Sequence, residues 1–159
     1  MALNLYIYSG LGNIIAIVDS VREDISLNAD DVLNLHDNKS ISFDQLIQLS
    51  PPQDPENDFD VDIYNNDGST ASNCINGARC VAKFIEDHSL SVSKQLKVNT
   101  IGGIWKLESM SEENYSATFL LSDVIKPISI SLEEMNLNLD YVSLGNPHGI
   151  VFQDANPEF

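Results

Sequence analysis

Basic residues are scarce in this chain: 8 Lys and Arg stand against 24 Asp and Glu among 159 residues, a formal charge of -16. Such a surface repels a phosphate backbone and an anionic bilayer alike, so neither a nucleic acid nor a membrane is an expected partner. Long apolar runs are lacking as well. The opening MALNLYIYSGLGNIIAIVDS has no basic segment and no uninterrupted run able to span a bilayer, which argues against export and insertion and for a cytoplasmic location. Cysteine is nearly absent, with Cys74 and Cys80 alone. Six helical positions would put about 9 Å of rise between them, too far for a disulfide. His36, His88 and His148 have no C-x-x-C or H-x-x-x-H partner, so no metal site is expected. There is no P-loop, and Ile15 stands where a dinucleotide loop after Gly10 and Gly12 needs its third glycine. No cofactor is expected.

The 43% hydrophobic content suffices for one domain, or for one and the start of another. In DFDVDIYNNDGST, Phe59, Val61 and Ile63 alternate with Asp58, Asp60 and Asp62, the period of a half-buried strand that ends at the Asp67-Gly68 turn. The D-x-D-x-D run is no calcium loop, since Ile63 replaces the required glycine and Ser69 the bidentate glutamate. Further strands are expected over 5–8, 14–18, 96–99, 104–108 and 116–121, and short helices over 28–35 and 43–49, the latter stopped by Pro51-Pro52.

The segment ASNCINGARCVAKFIEDH carries the chemistry. Ala78, Val81, Ala82 and Ile85 recur at i, i+3, i+4, i+7, with Phe84 widening the stripe and Lys83, Glu86 and Asp87 opposite, which predicts a helix over 76–88. Ser72 and Asn73 are good N-cap types, so Cys74 falls at the cap or in the first turn. Unpaired N–H groups and the positive end of the dipole favour a thiolate there, and the same groups can hold a carboxylate. Asn76-Gly77 lets the backbone approach such a ligand. Cys80, inside the helix, reads as a small buried hydrophobe and the less reactive thiol.

SGLGN, FDQL at 43–46, YNNDGSTASNCINGARC at 64–80, NTIGG at 99–103 and GNPH at 145–148 occur in the order and spacing of the diaminopimelate epimerases, and the chain resembles rather more than the first half of such an enzyme. The resemblance implies an α+β fold: a curved, mostly antiparallel sheet wrapped around a central helix (1–117), plus the beginning of a second similar lobe (118–159). It implies a pyridoxal-independent epimerase that interconverts LL- and meso-diaminopimelate with two cysteines, one removing the α-proton and the other delivering a proton to the opposite face. Cys74 matches the first cysteine. The N–H groups of Ile75 and Asn76 match the carboxylate cradle, Asn13, Gln45, Asn65 and Asn146 match substrate-positioning side chains, and His148 matches a residue that tunes thiol ionisation.

Ile75 replaces the glycine that usually follows the catalytic cysteine, Ser9 a histidine before GLGN, and Ser42 a glycine before FDQ. The second cysteine with its GSG helix start, and a Glu-Arg pair, are not among the 159 residues. A homodimer, or a second chain supplying the missing lobe, is the protein partner this implies. The alternatives are a non-catalytic binding or assembly half, a cysteine hydrolase pairing Cys74 with His148 or His88, and a relative of phenazine-type isomerases or proline racemases.

Overall fold

The computed structural model describes residues 3–37, 42–111, 114–120, 125–132, 135–144 and 147–152. Two units separate after Leu120. The first holds a seven-stranded sheet built from β1 (Tyr6–Gly10), β2 (Asn13–Asp19), β3 (Gln45–Ser50), β4 (Phe59–Asn65), β5 (Gln95–Thr100), β6 (Gly103–Ser111) and β7 (Asn114–Thr118), hydrogen-bonded in that order. Helix α1 (Ala29–Asp37) links β2 to β3, and helix α2 (Ile75–Asp87) links β4 to β5. These two strand pairs are the parallel ones, as a crossover connection requires, and the other pairs are antiparallel. In the second unit β8 (Lys126–Leu132), β9 (Met135–Ser143) and β10 (Pro147–Ile150) form an antiparallel sheet in the order β10-β9-β8.

Strand alternation sorts the apolar residues onto two sheet faces. Ile15, Ile17, Ile47, Leu49, Val61 and Ile63 join Ala78, Val81, Phe84 and Ile85 of α2 in the main core. Ala16, Val18, Phe43 and Leu46 face the other way and are covered by Val32 and Leu35 of α1. Helix α2 touches β1 and β2 at one edge of the sheet and β6 and β7 at the other, so the sheet curls around it. Asn28 caps α1 reciprocally: its Oδ1 accepts from the Asp31 N–H at 3.1 Å while its own N–H donates to Asp31 Oδ2 at 3.0 Å.

The helix expected over 43–49 does not form; Gln45–Ser50 is strand β3. Ile47 and Leu49 enter one core and Leu46 the other, so both faces are buried and the run shows no clean alternation. A short continuous apolar run of this kind fits either period. The strand expected over 116–121 is centred earlier, at Asn114–Thr118, and residue 121 lies outside the described residues.

Candidate active site

The three core rows that face α2 each end in an amide. Asn13 precedes Ile15 and Ile17 on β2, Gln45 precedes Ile47 and Leu49 on β3, and Asn65 follows Val61 and Ile63 on β4. Gln45 pairs with Asn65 across β3 and β4, and Ile15 with Gln45 across β2 and β3, so the amides share one face at one end of the sheet. The polar ends of apolar rows thus gather where α2 begins.

Cys74 is the N-cap of α2, with extended backbone (φ -147°), and its Sγ accepts from the Gly77 N–H at 3.2 Å. The sulfur therefore fills the place a serine or aspartate oxygen usually takes at a helix start. The segment before it is clamped from the β5–β6 turn and from β6: the Gly102 N–H of the turn donates to the Ser72 carbonyl at 2.9 Å, and Trp105 Nε1 on β6 donates to Asn73 Oδ1 at 2.7 Å. A Cβ on Gly102 would run into that same carbonyl, which accounts for the first glycine of NTIGG. At the β1–β2 hairpin, Leu11 (φ 50°) and Gly12 (φ 91°) both take positive φ, the geometry of a tight type I′ turn. Gly10 lies so near α2 that a Cβ would sit 2.9 Å from the Asn76 carbonyl oxygen and 3.1 Å from Cys80 Sγ.

Helix-end stabilisation of a thiolate is present at Cys74, yet it is outweighed. Burial pushes the thiol above its usual range, while the N–H groups of Gly77 and Asn76 and the Arg79 guanidinium pull it down. The sequence points to the stabilising half of this balance and is silent on the burial. Cys80 lacks the N–H groups and is pushed from 9.0 to about 11, by burial first and by Cys74 second. A desolvated thiolate is scarcer at neutral pH, and once formed it is the stronger base.

Thiols with raised values tie up protons in the folded state that the unfolded chain releases, so their contribution to stability is complete below about pH 9 and lost as pH rises through the folded value. For Cys80 the window is pH 9 to about 11. Denaturant unfolding at successive pH values should show stability falling across that window, and Cys80→Ala should flatten the fall; an equal slope in both proteins would contradict the assignment. Tyr8, raised from 10.0 by burial and by the hydrogen bond its hydroxyl donates to Asp87, adds a loss of its own that begins near pH 10, so Cys80→Ala should flatten the fall without abolishing it.

The sequence profile of diaminopimelate epimerase matches residues 5–124. The chain belongs to the diaminopimelate epimerase family. It is 33% identical to the diaminopimelate epimerase of Laribacter hongkongensis, covering 97% of this chain and 60% of that protein. With the Pseudomonas syringae diaminopimelate epimerase it shares 34% identity over 91% of this chain and 57% of the relative. The chain thus spans about 60% of the length of the curated relatives it matches. Among solved structures, a probable proline racemase from Agrobacterium radiobacter is similar at TM-score 0.68 and 13% identity, over 94% of this chain and 52% of that one. A phenazine biosynthesis PhzF family protein from Enterococcus faecalis is similar at TM-score 0.64 and 12% identity, over 97% of this chain and 59% of that one. These likenesses show the fold: a curled, mostly antiparallel sheet around a central helix.

Of the residues expected at an epimerase site, Cys74, Ile75, Asn76, Asn13, Gln45 and Asn65 lie in the first unit, at α2's first turn and the neighbouring strand ends. Asn76 Nδ2 donates to Asn13 Oδ1 at 2.8 Å, and Gln45 Nε2 donates to Asn65 Oδ1 at 2.9 Å. Ile75, where the resemblance leads one to expect glycine, is half-buried as the first residue of α2. His148 lies on β10 in the second unit, opposite Val142, and Asn146 falls outside the described residues. Ser9 is exposed on β1 beside an open depression of about 290 Å³ that Arg79, Lys83 and Tyr115 also line.

Three further residues join these side chains. Arg79 donates to Asn76 Oδ1 at 2.6 Å, Ser69 accepts from Asn65 Nδ2 at 3.0 Å, and Asp67 accepts from Ser69 Oγ at 2.5 Å. Arg79 stands three residues after Asn76 on the helix, a spacing that places the two on one face. That signal was available. The Asp67–Ser69 contact depends on a turn in which Gly68 has φ 79°, which gives no sign of what its side chains reach.

Proposed function

We propose that this chain supplies the proton-abstracting lobe of a diaminopimelate epimerase, a cofactor-independent enzyme of lysine and peptidoglycan-precursor synthesis in the cytoplasm. The observation that carries the reading is Cys74 Sγ at the α2 cap, 3.2 Å from the Gly77 N–H, on a helix whose first turn reaches, through Asn76, the Asn13 amide at the end of a core row. Residues 1–117 are the first lobe and 118–159 the start of the second, which carries Asn146 as a substrate-positioning group and His148 as a modulator of the thiol.

In the proposed step the Cys74 thiolate takes the α-proton, forming an S–H bond as the C–H bond breaks. The released electron pair moves into the adjoining carboxylate, whose growing charge is met by N–H groups of the first turn at Ile75 and Asn76. Their advantage is that they are already oriented and need no rearrangement as charge develops. A second acid must then protonate the opposite face, because one thiol serves one face at a time. Cys80 is poorly placed to be that acid: it lies six residues into the helix, 5% exposed, packed in the main core. The second acid is therefore assigned to the remainder of the epimerase, carried in cis or by a partner chain, and a homodimer of complete chains is compatible with either.

Purified 159-residue protein incubated with LL-diaminopimelate in heavy water should give no meso product, and the same protein joined to the second lobe of a family member should give meso product carrying α-deuterium. Meso product from the isolated chain at a rate proportional to its concentration would contradict the one-lobe assignment. A covalent acyl adduct on Cys74 from an ester substrate would instead support a hydrolase.

A further inference from the structure

We propose that Arg79 and Asp67 are positioning residues that fix which way the amides of the site are turned, so that the NH2 group of Asn13 and the carbonyl oxygen of Gln45 are the ends these hydrogen-bonded chains leave unengaged. This rests on the epimerase reading for the identity of the ligand, but the polarity itself is a property of two hydrogen-bonded chains that start from opposite charges.

The first chain begins at a group that can only donate. The Arg79 guanidinium occupies Asn76 Oδ1 at 2.6 Å, which forces the Asn76 amide to turn its Nδ2 outward. That nitrogen donates to Asn13 Oδ1 at 2.8 Å. With its oxygen engaged, Asn13 presents its NH2, a donor suited to a carboxylate oxygen. The second chain begins at a group that can only accept. The Asp67 carboxylate takes the Ser69 hydroxyl hydrogen at 2.5 Å, so Ser69 Oγ has lone pairs left for Asn65 Nδ2, which donates to it at 3.0 Å. Asn65 Oδ1 in turn accepts from Gln45 Nε2 at 2.9 Å, leaving the Gln45 carbonyl oxygen as an acceptor suited to an ammonium group.

An amide by itself is indifferent: a half-turn of the side chain exchanges donor for acceptor. Four amides in a site could present sixteen patterns, and two ionised anchors reduce them to one. The pattern selected has one donor and one acceptor on neighbouring parallel strands, β2 and β3. It matches the carboxylate and ammonium of an amino acid. The Ser69 N–H also donates to Asp67 Oδ1 at 2.9 Å, and these two bonds from Ser69 hold the Asp67 carboxyl below its usual range, so the anchor stays ionised at neutral pH.

The test uses two readouts. In the 159-residue protein, carbon-nitrogen couplings across hydrogen bonds should be seen by NMR from Asn76 Nδ2 to Asn13 and from Gln45 Nε2 to Asn65. Arg79→Leu should lose the first and keep the second, Asp67→Asn should lose the second and keep the first, and Arg79→Lys should retain both. In the two-lobe protein, Arg79→Leu and Asp67→Asn should each raise KM for diaminopimelate about tenfold with kcat changed less than about threefold, and Arg79→Lys should restore KM. A first coupling that survives in Arg79→Leu, or couplings lost as stated with KM unmoved, would overturn the proposal. Couplings that behave as stated in a two-lobe protein without turnover would uphold the polarity chains and remove the epimerase reading instead.

Discussion

Cys74→Ser should lower epimerisation by the two-lobe protein about 10^4-fold, the upper range for losing a positioned base, while leaving the fold intact. The separation of these two effects follows from the cap. Serine is among the best N-cap residues, and its hydroxyl can accept from the Gly77 N–H as the sulfur does at 3.2 Å. Stability should therefore change by less than about 1 kcal/mol. A hydroxyl is far too weak an acid to stand ionised beside the substrate, so the chemical step is lost. Cys74→Ala makes the useful contrast, because it removes the cap as well and should cost about 1 kcal/mol of stability on top of the same loss of activity. Circular dichroism with denaturant titration reads the first quantity and a coupled epimerase assay the second. Unfolding of the serine variant under native conditions would show that the sulfur is structural.

Gly77→Ala should destabilise the protein by about 1–3 kcal/mol, reversing the usual preference for alanine inside a helix. An added Cβ would lie 2.5 Å from Ile47 Cδ1 and 2.9 Å from Cys74 Sγ. Ile47 is fully buried and cannot swing aside without disturbing the row that ends in Gln45. The sulfur has more freedom, and moving it breaks its contact with the Gly77 N–H. Two consequences follow together: a lower midpoint in thermal unfolding, and a further rise in the pH at which Cys74 reacts with iodoacetamide, since one of the groups that pull the thiol down is lost. In the parent protein Cys74 should be alkylated before Cys80, whose thiol is held up at about 11. An alanine variant as stable as the parent, with an unchanged alkylation profile, would show that α2 shifts to accommodate the methyl group.

Much of this site was written in local pattern. The stripe from Ala78 to Ile85 specifies α2, and cap-type residues just before it place Cys74 at the helix start. The alternation of Phe59, Val61 and Ile63 specifies β4 and, by the same parity, puts Asn65 on the core face. Gln45 was harder to place, because β3 is buried on both sides and its run reads equally well as a helix, in which Gln45 would not share a face with Asn65. The family resemblance points to Gln45, whereas the local pattern alone fits a helix where the chain forms a strand. Thiol burial was not legible either: it comes from residues far apart in sequence, among them Ile47 and Trp105, which share the main core with Cys74. NTIGG is recognisable as a motif without a reason, and the reason is its clamp on the Ser72 carbonyl, 28 positions upstream of Thr100, through the Thr100 hydroxyl and the Gly102 N–H.

The most direct test of Cys74 as the base is solvent exchange at the α-carbon. The two-lobe protein, incubated in heavy water with LL-diaminopimelate under reducing conditions, should incorporate one α-deuterium for each inversion. Cys74→Ser in the same preparation should incorporate deuterium and form meso product about 10^4-fold more slowly. Exchange at the parental rate in the Cys74→Ser protein would contradict the assignment and place the base elsewhere.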